Sequence, residues 1–139
     1  MNGATSLPLV SGLLRAHAEQ SDTVREHMEF APFHFHIDRA DTIVGRHEAP
    51  AVAAFSSLMW NAQLCLKVAA EVKRQHPDCL VVFGGANVPH HPDAFLHQHP
   101  FVDVTVRGEG EGPFTQVLER LAVANGAHDV DLADLAGVS

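Results

Sequence analysis

This chain is poor in the residues that announce most functions. It has no tyrosine, one tryptophan, two cysteines and nine lysines plus arginines against 17 acidic residues, for a formal charge of −8. So few cations argue against nucleic acid or an anionic membrane as the main partner. No apolar run approaches the roughly 20 residues that cross a bilayer, and there is no signal-peptide pattern. Cys65 and Cys79 form no CxxC. They read as buried thiols in a reducing compartment, which makes the expected location cytoplasmic. What remains is 139 residues at 46% hydrophobic, enough for one folded domain with its own core and no disulfide.

Three short apolar runs organise that domain: Ala51–Phe55, Cys79–Phe83 and Val102–Val106. Runs of this length without alternation, separated by helical patterns, predict parallel strands covered on both faces. Right-handed crossovers place the loops after all three at one edge of the sheet, outside the strand carboxyl ends, where open α/β sheets bind ligands. Another strand is expected at Phe33–Ile37, where phenylalanine alternates with His34 and His36. Helices are expected from Leu7 to Gln20, from a Ser21-Asp22 cap to about Phe30, over Asn61–Gln75, over Pro92–His99 and from Glu111 to Ala124, with Asn125-Gly126 as the stop. Asp38–His47 reads as a short helix or loop. Residues 1–128 form the expected domain, and 129–139, without clear period, read as a tail or the start of a linker.

The three loops differ in chemistry. Ser56-Ser57-Leu58-Met59-Trp60-Asn61 offers two hydroxyls and an indole and carries no charge, suiting a neutral or amide-rich ligand and a ring. Gly84-Gly85, leading into Ala86, Asn87 and Val88, lets the backbone turn sharply and a bulky group come close. Arg107-Gly108-Glu109-Gly110-Glu111 resembles a dinucleotide loop, but Pro113 stands where the third glycine of GxGxxG belongs, and two glutamates would face a pyrophosphate. Each loop alone could be turn residues only; three at one edge favour a binding site. The 11 histidines, with pairs His34/His36, His90/His91 and His97/His99, read as surface residues rather than a metal centre; His90 and His91, next to the double glycine, are the ones to watch.

In order, SSLMWN, an amphipathic helix, VVFGGANV and VDVTVRGEGE resemble the cobalamin-binding domain at the N-terminus of cobalamin-dependent radical S-adenosylmethionine enzymes. The resemblance covers about Leu7 to Leu121. It implies a flavodoxin-like or Rossmann-like parallel sheet with helices on both faces, and a cobalamin-holding module of a methyl-transferring or related enzyme. It places Ser56–Asn61 under or beside the corrin, and the double-glycine and RGEGE loops around the nucleotide tail. The contacts so implied are Ser56, Ser57, Leu58, Met59, Trp60, Asn61, Gly84, Gly85, Ala86, Asn87, Val88, Gly108, Glu109 and Gly110.

One cobalt-ligating motif is absent; apart from that, the sequence departs from the family in two places. No Asp-x-His-x-x-Gly occurs, so no histidine is expected to ligate cobalt. No CxxxCxxC occurs, so an iron–sulfur cluster and S-adenosylmethionine are expected only with a partner domain or subunit. Met1–Ser6 holds no apolar run for the family's first strand, which predicts direct pairing of Phe33–Ile37 with Ala51–Phe55 or filling of the gap by a segment of another chain, either of which favours self-association. Gly85→Val is expected to block cobalamin by filling the tail slot while leaving the fold intact. Two other readings stay open on sequence grounds: an interaction domain that keeps the fold without cofactor, and a flavin- or nucleotide-binding flavodoxin-like domain.

Overall fold

The computed structural model describes residues 15–30, 51–108, 110–124, 129–135 and 137–139. Its centre is a three-stranded parallel sheet in which β1 (Val52–Ser56) pairs with β2 (Leu80–Gly84), and β2 with β3 (Val104–Thr105). The register runs from Val52 against Leu80 to Ser56 against Gly84, so β1 and β2 end level. That common end is the carboxyl edge, and the three loops leave from it.

The continuous apolar runs are explained by the two faces of the sheet. Leu80 and Val82 of β2, with Val104 and Val106, point into one core. Cys79, Val81 and Phe83 point into the other, so no position of β2 is left for a polar side chain before Gly84. The first core is closed by α1 (Asp22–His27) through Val24, and by α4 (Glu111–Val123) through Phe114, Val117, Leu118 and Leu121. The second is closed by α2 (Ala62–Gln75) through Cys65, Val68, Ala69 and Val72, with Phe95 and Leu96 of α3 (Asp93–Gln98) packed against it. Phe55, Phe83 and Phe95 form a tilted stack there, with centroids 5.1 and 6.0 Å apart.

Local signals explain the ends of the helices. Ser21 caps α1 by accepting from the Val24 amide at 3.4 Å, and its hydroxyl donates to Glu119 of α4 at 2.6 Å. Pro77, which cannot continue a helix, comes two residues after the end of α2. The helix read to about Phe30 stops instead at His27, because Met28 turns extended at φ −126° and ψ 140°.

Two differences from the sequence reading concern the last strand and the segment after α4. β3 proper is two residues long, and Val106 pairs with Val138 in an antiparallel bridge. The segment read as a tail lies along β3. Thr105 N donates to Ser139 O at 2.7 Å, Ser139 N to Thr105 O at 2.9 Å and Arg107 N to Gly137 O at 2.8 Å. Val130, Leu132, Leu135 and Val138 pack on the first core, and Arg120 of α4 holds Asp134 at 3.0 Å. The segment has no period because its order comes from an edge pairing and scattered apolar anchors. The strand expected at Phe33–Ile37, its pairing with β1, the stretches 1–14 and 38–47, and the Asn125-Gly126 stop lie outside the described residues. No described helix is long and apolar enough to cross a membrane.

Candidate functional site at the carboxyl edge

The loops after β1 and β2 are joined backbone to backbone. Ser57 N donates to Gly84 O at 2.8 Å, and Asn87 N donates to Ser57 O at 3.1 Å. Gly85 sits at this seam with φ +98°, a conformation that favours glycine. A Cβ on Gly85 would lie 2.6 Å from Ser57 O and 2.9 Å from Ser57 N. The close approach that the double glycine permits is therefore to Ser57, which is itself buried at 3% exposed. This corrects the physical reason for the expected effect of Gly85→Val: the new side chain would strike the neighbouring loop rather than fill an open slot, so the loops themselves must move.

Asn61 shapes the first loop from within. Its Oδ1 accepts from Leu58 N at 2.7 Å and its Nδ2 donates to Ser56 O at 3.1 Å, closing Ser56–Asn61 into a tight turn before α2. With the amide so engaged and Ser57 inward, the side chains left outside are Met59 and Trp60, 91% and 68% exposed. Two large apolar side chains in this state, next to a sheet's carboxyl edge, are candidates for contact with a ligand. Leu58 is half-buried, Ala86 and Asn87 are exposed, and Val88 turns back against the second core.

The third loop brings a different chemistry. Arg107 Nη1 donates to His90 O at 2.9 Å, tying the loop after β3 to the one after β2. Arg107 Nε is buried and has no acceptor among the described residues. A buried N–H of a charged group without a partner costs on the order of 1–3 kcal/mol, so it marks a place where an acceptor belongs. Gly108, at φ +71°, has open space around its Cβ position, with no atom within 4 Å. Gly110 N-caps α4, and its carbonyl accepts from Phe114 N at 2.8 Å. Glu109 lies outside the described residues.

The thiols take no part at the surface. Burial pushes both Cys65 and Cys79 up to about 11 from 9.0, so neither is a ready nucleophile or metal ligand at neutral pH. Among the described residues no three His, Cys, Asp or Glu side chains converge on a metal-sized site. His99 is packed between Phe95 and Phe101, with centroids 4.8 and 5.6 Å away, and His90 and His91 are exposed. His34 and His36 lie outside the described residues.

The edge thus combines two uncharged loops, the first carrying exposed Met59 and Trp60, with an open glycine and a cation that has an unsatisfied donor. That set suits a large, flat, amide-rich ligand with an oxygen-bearing tail, which is the chemistry of cobalamin. The structure brings Ser57 together with Gly84, Gly85 and Asn87. It sets Gly108 and Gly110 apart, linked to the others through Arg107. Sequence reading missed Arg107, although it is the only lysine or arginine in the three loops of an acidic chain.

Comparison with known proteins agrees with this geometry. Residues 8–118 match the B12 binding domain model. The chain is 44% identical over 123 residues to 2-(S-pantetheinyl)-carbapenam-3-carboxylate methyltransferase of Streptantibioticus cattleyicolor, covering 88% of this chain and 18% of that protein. It is 39% identical over 118 residues to the cobalamin-dependent radical SAM methyltransferase TokK of Streptomyces tokunonensis, covering 85% of this chain and 17% of that protein. The chain therefore spans less than a fifth of the length of these relatives. With its parallel sheet, its two covered faces and a match running through all three loops, it belongs to the B12-binding domain family.

Proposed function

We propose that this chain is the cobalamin-holding module of a cobalamin-dependent radical S-adenosylmethionine methyltransferase. The observation that carries the reading is the exposed Met59–Trp60 pair beside the knitted Ser57–Gly85 seam. The two relatives add the enzyme class, since both are methyltransferases and one is named for cobalamin and radical SAM chemistry. In this reading Met59 and Trp60 support one face of the corrin. Ser56, Ser57 and Asn61 hold their loop in shape, and Gly84, Gly85, Ala86, Asn87, Val88, Gly108, Glu109 and Gly110 border the tail. When bound, cobalamin supplies a cobalt-carried methyl group. The chain's own residues bind and orient the corrin and exclude water beneath it. The iron–sulfur cluster and S-adenosylmethionine belong to a partner domain.

The test is reconstitution with hydroxocobalamin, followed by desalting and an absorption spectrum. Retained corrin bands near one equivalent are expected. A colourless protein would favour the interaction-domain reading, and flavin bands on the protein as purified would favour the flavodoxin-like one. Self-association is also proposed. Light scattering with and without cobalamin checks it, and a cobalamin-loaded monomer would sink it.

A further inference from the structure

The geometry points to Arg107 as the positioning residue for the cofactor's nucleotide tail, a proposal that rests on the cobalamin reading above. Its Nη1 is fixed by the His90 carbonyl at 2.9 Å, so the guanidinium plane cannot turn freely. Its backbone N–H is fixed as well, on Gly137 O at 2.8 Å. A side chain anchored at its backbone and at one nitrogen of its planar fork aims its remaining donors in set directions. Nε is one of them, buried and without an acceptor among the described residues. Gly84, at the end of β2, has its Cβ position at ordinary contact distance, 3.7 Å, from Val106 O, so the two chain segments run side by side up to Gly85 and Arg107. Beyond them the space at Gly108 is open.

Arg107 therefore spans the seam between the double-glycine loop and the RGEG loop and presents an unused N–H to what enters there. The matching chemistry is an oxygen acceptor on the tail, either the phosphodiester or a neutral ribose oxygen. The corrin ring, resting on Met59 and Trp60, does not need it.

That separation supplies the test. The affinity of the purified protein for cobalamin and for cobinamide, which is the corrin without its nucleotide tail, is measured by equilibrium dialysis. Arg107→Met is expected to weaken cobalamin about tenfold and cobinamide less than twofold, with Arg107→Lys recovering part of the difference because it keeps the charge. His97→Ala, at an exposed position of α3 outside the three loops, is expected to change neither. Cobinamide phosphate assigns the acceptor. Sensitivity to Arg107→Met regained with it, and weakened by added salt, identifies the phosphate; sensitivity seen only with complete cobalamin identifies the neutral oxygens. Equal losses for both corrins would reduce Arg107 to a structural brace and overturn the proposal, as would no loss at all. If Arg107→Met does not fold, Arg107→Lys measured against both corrins decides in the same way, a tail-specific loss of about threefold being expected. Wild-type protein that takes up neither corrin defeats the cobalamin reading itself, a result distinct from either outcome for the variants.

Discussion

The two edges of the sheet are held by opposite means. At the amino edge, side chains lock the strands: Lys73 Nζ donates to Cys79 O at 2.7 Å and to Asp103 Oδ2 at 2.6 Å. The same carboxylate oxygen accepts from Val81 N at 2.8 Å. One ion pair thus fixes the end of α2 and the starts of β2 and β3. At the carboxyl edge the fastening is mostly backbone, through Ser57, Gly84, Gly85 and Asn87, and the large side chains face outward. At the amino edge an ion pair does the fastening, and at the carboxyl edge the two largest side chains, Met59 and Trp60, stay exposed. Substitutions should therefore separate folding from binding according to the edge they touch.

The largest effect should come where the backbone seam itself is broken. Gly85→Val places a β-branched residue at φ +98° against Ser57 O and should cost on the order of 3 kcal/mol as well as abolish cobalamin uptake. Gly108→Ala, with positive φ and open space, should cost only about 1–2 kcal/mol. Thermal melts compare the two, and equal costs would mean that the Ser57 contact is unimportant.

At the other edge, Asp103→Ala leaves the Val81 N–H and the Lys73 ammonium without their shared acceptor. A loss of about 2–3 kcal/mol in urea unfolding is expected, with cobalamin affinity unchanged. A matching drop in affinity would erase the distinction between the edges.

The buried thiols give a pH dependence belonging to the core rather than to either edge. Above pH 9.0 the unfolded chain begins to release thiol protons that the folded chain keeps until about 11. Their contribution is therefore complete below about pH 9 and is lost as pH rises through 11. It amounts to at most about 2–3 kcal/mol for each thiol. Unfolding at pH 8 and pH 10.5 should show the decline, and Cys65→Ala should remove about half of it, leaving the share of Cys79; a wild-type profile without slope across that window refutes the assignment.

Trp60→Ala should do the reverse of Asp103→Ala. At 68% exposed, the indole contributes within about 0.5 kcal/mol to folding, yet its loss should weaken cobalamin about tenfold. Unchanged affinity would take Trp60 out of the corrin surface. The smallest expected signal is none: with the dimethylbenzimidazole tail held away from cobalt and no histidine in Ser56–Asn61 to replace it, electron paramagnetic resonance of the bound cobalt(II) form should lack nitrogen superhyperfine splitting, and its presence would refute this.

How much of this is legible in the sequence depends on the range over which each signal acts. The strand at 80–84 is readable because both its faces are buried, and the one at 52–56 because its apolar run is continuous, although its residues are only part-buried and Ala54 is exposed. The Ser21 cap and Pro77 carry their own local chemistry. The loops can be placed at one edge from topology alone, but their inner workings cannot. Ser57 looks like a ligand hydroxyl in sequence and is a buried backbone hub in the fold. Asn61 looks free and is committed twice within its own turn. Arg107 and Asp103 act across separations of 17 and 22 residues, on His90 O and Val81 N, which no periodicity reports. The pairing of residues 137–139 with β3 has the same character, since an edge partner needs only backbone groups and leaves no composition behind.

That pairing also bears on solubility. A strand with a free edge invites other chains to add to it. Here the N–H groups of Thr105 and Arg107 and the carbonyl of Thr105 are all taken by Gly137 and Ser139. The outer side of β3 is therefore shielded by residues 137–139, which work as a guard against aggregation. Removing them would leave three backbone groups bare beside a core of valines, so the segment that looks most expendable in the sequence protects the sheet from its neighbours in a concentrated solution.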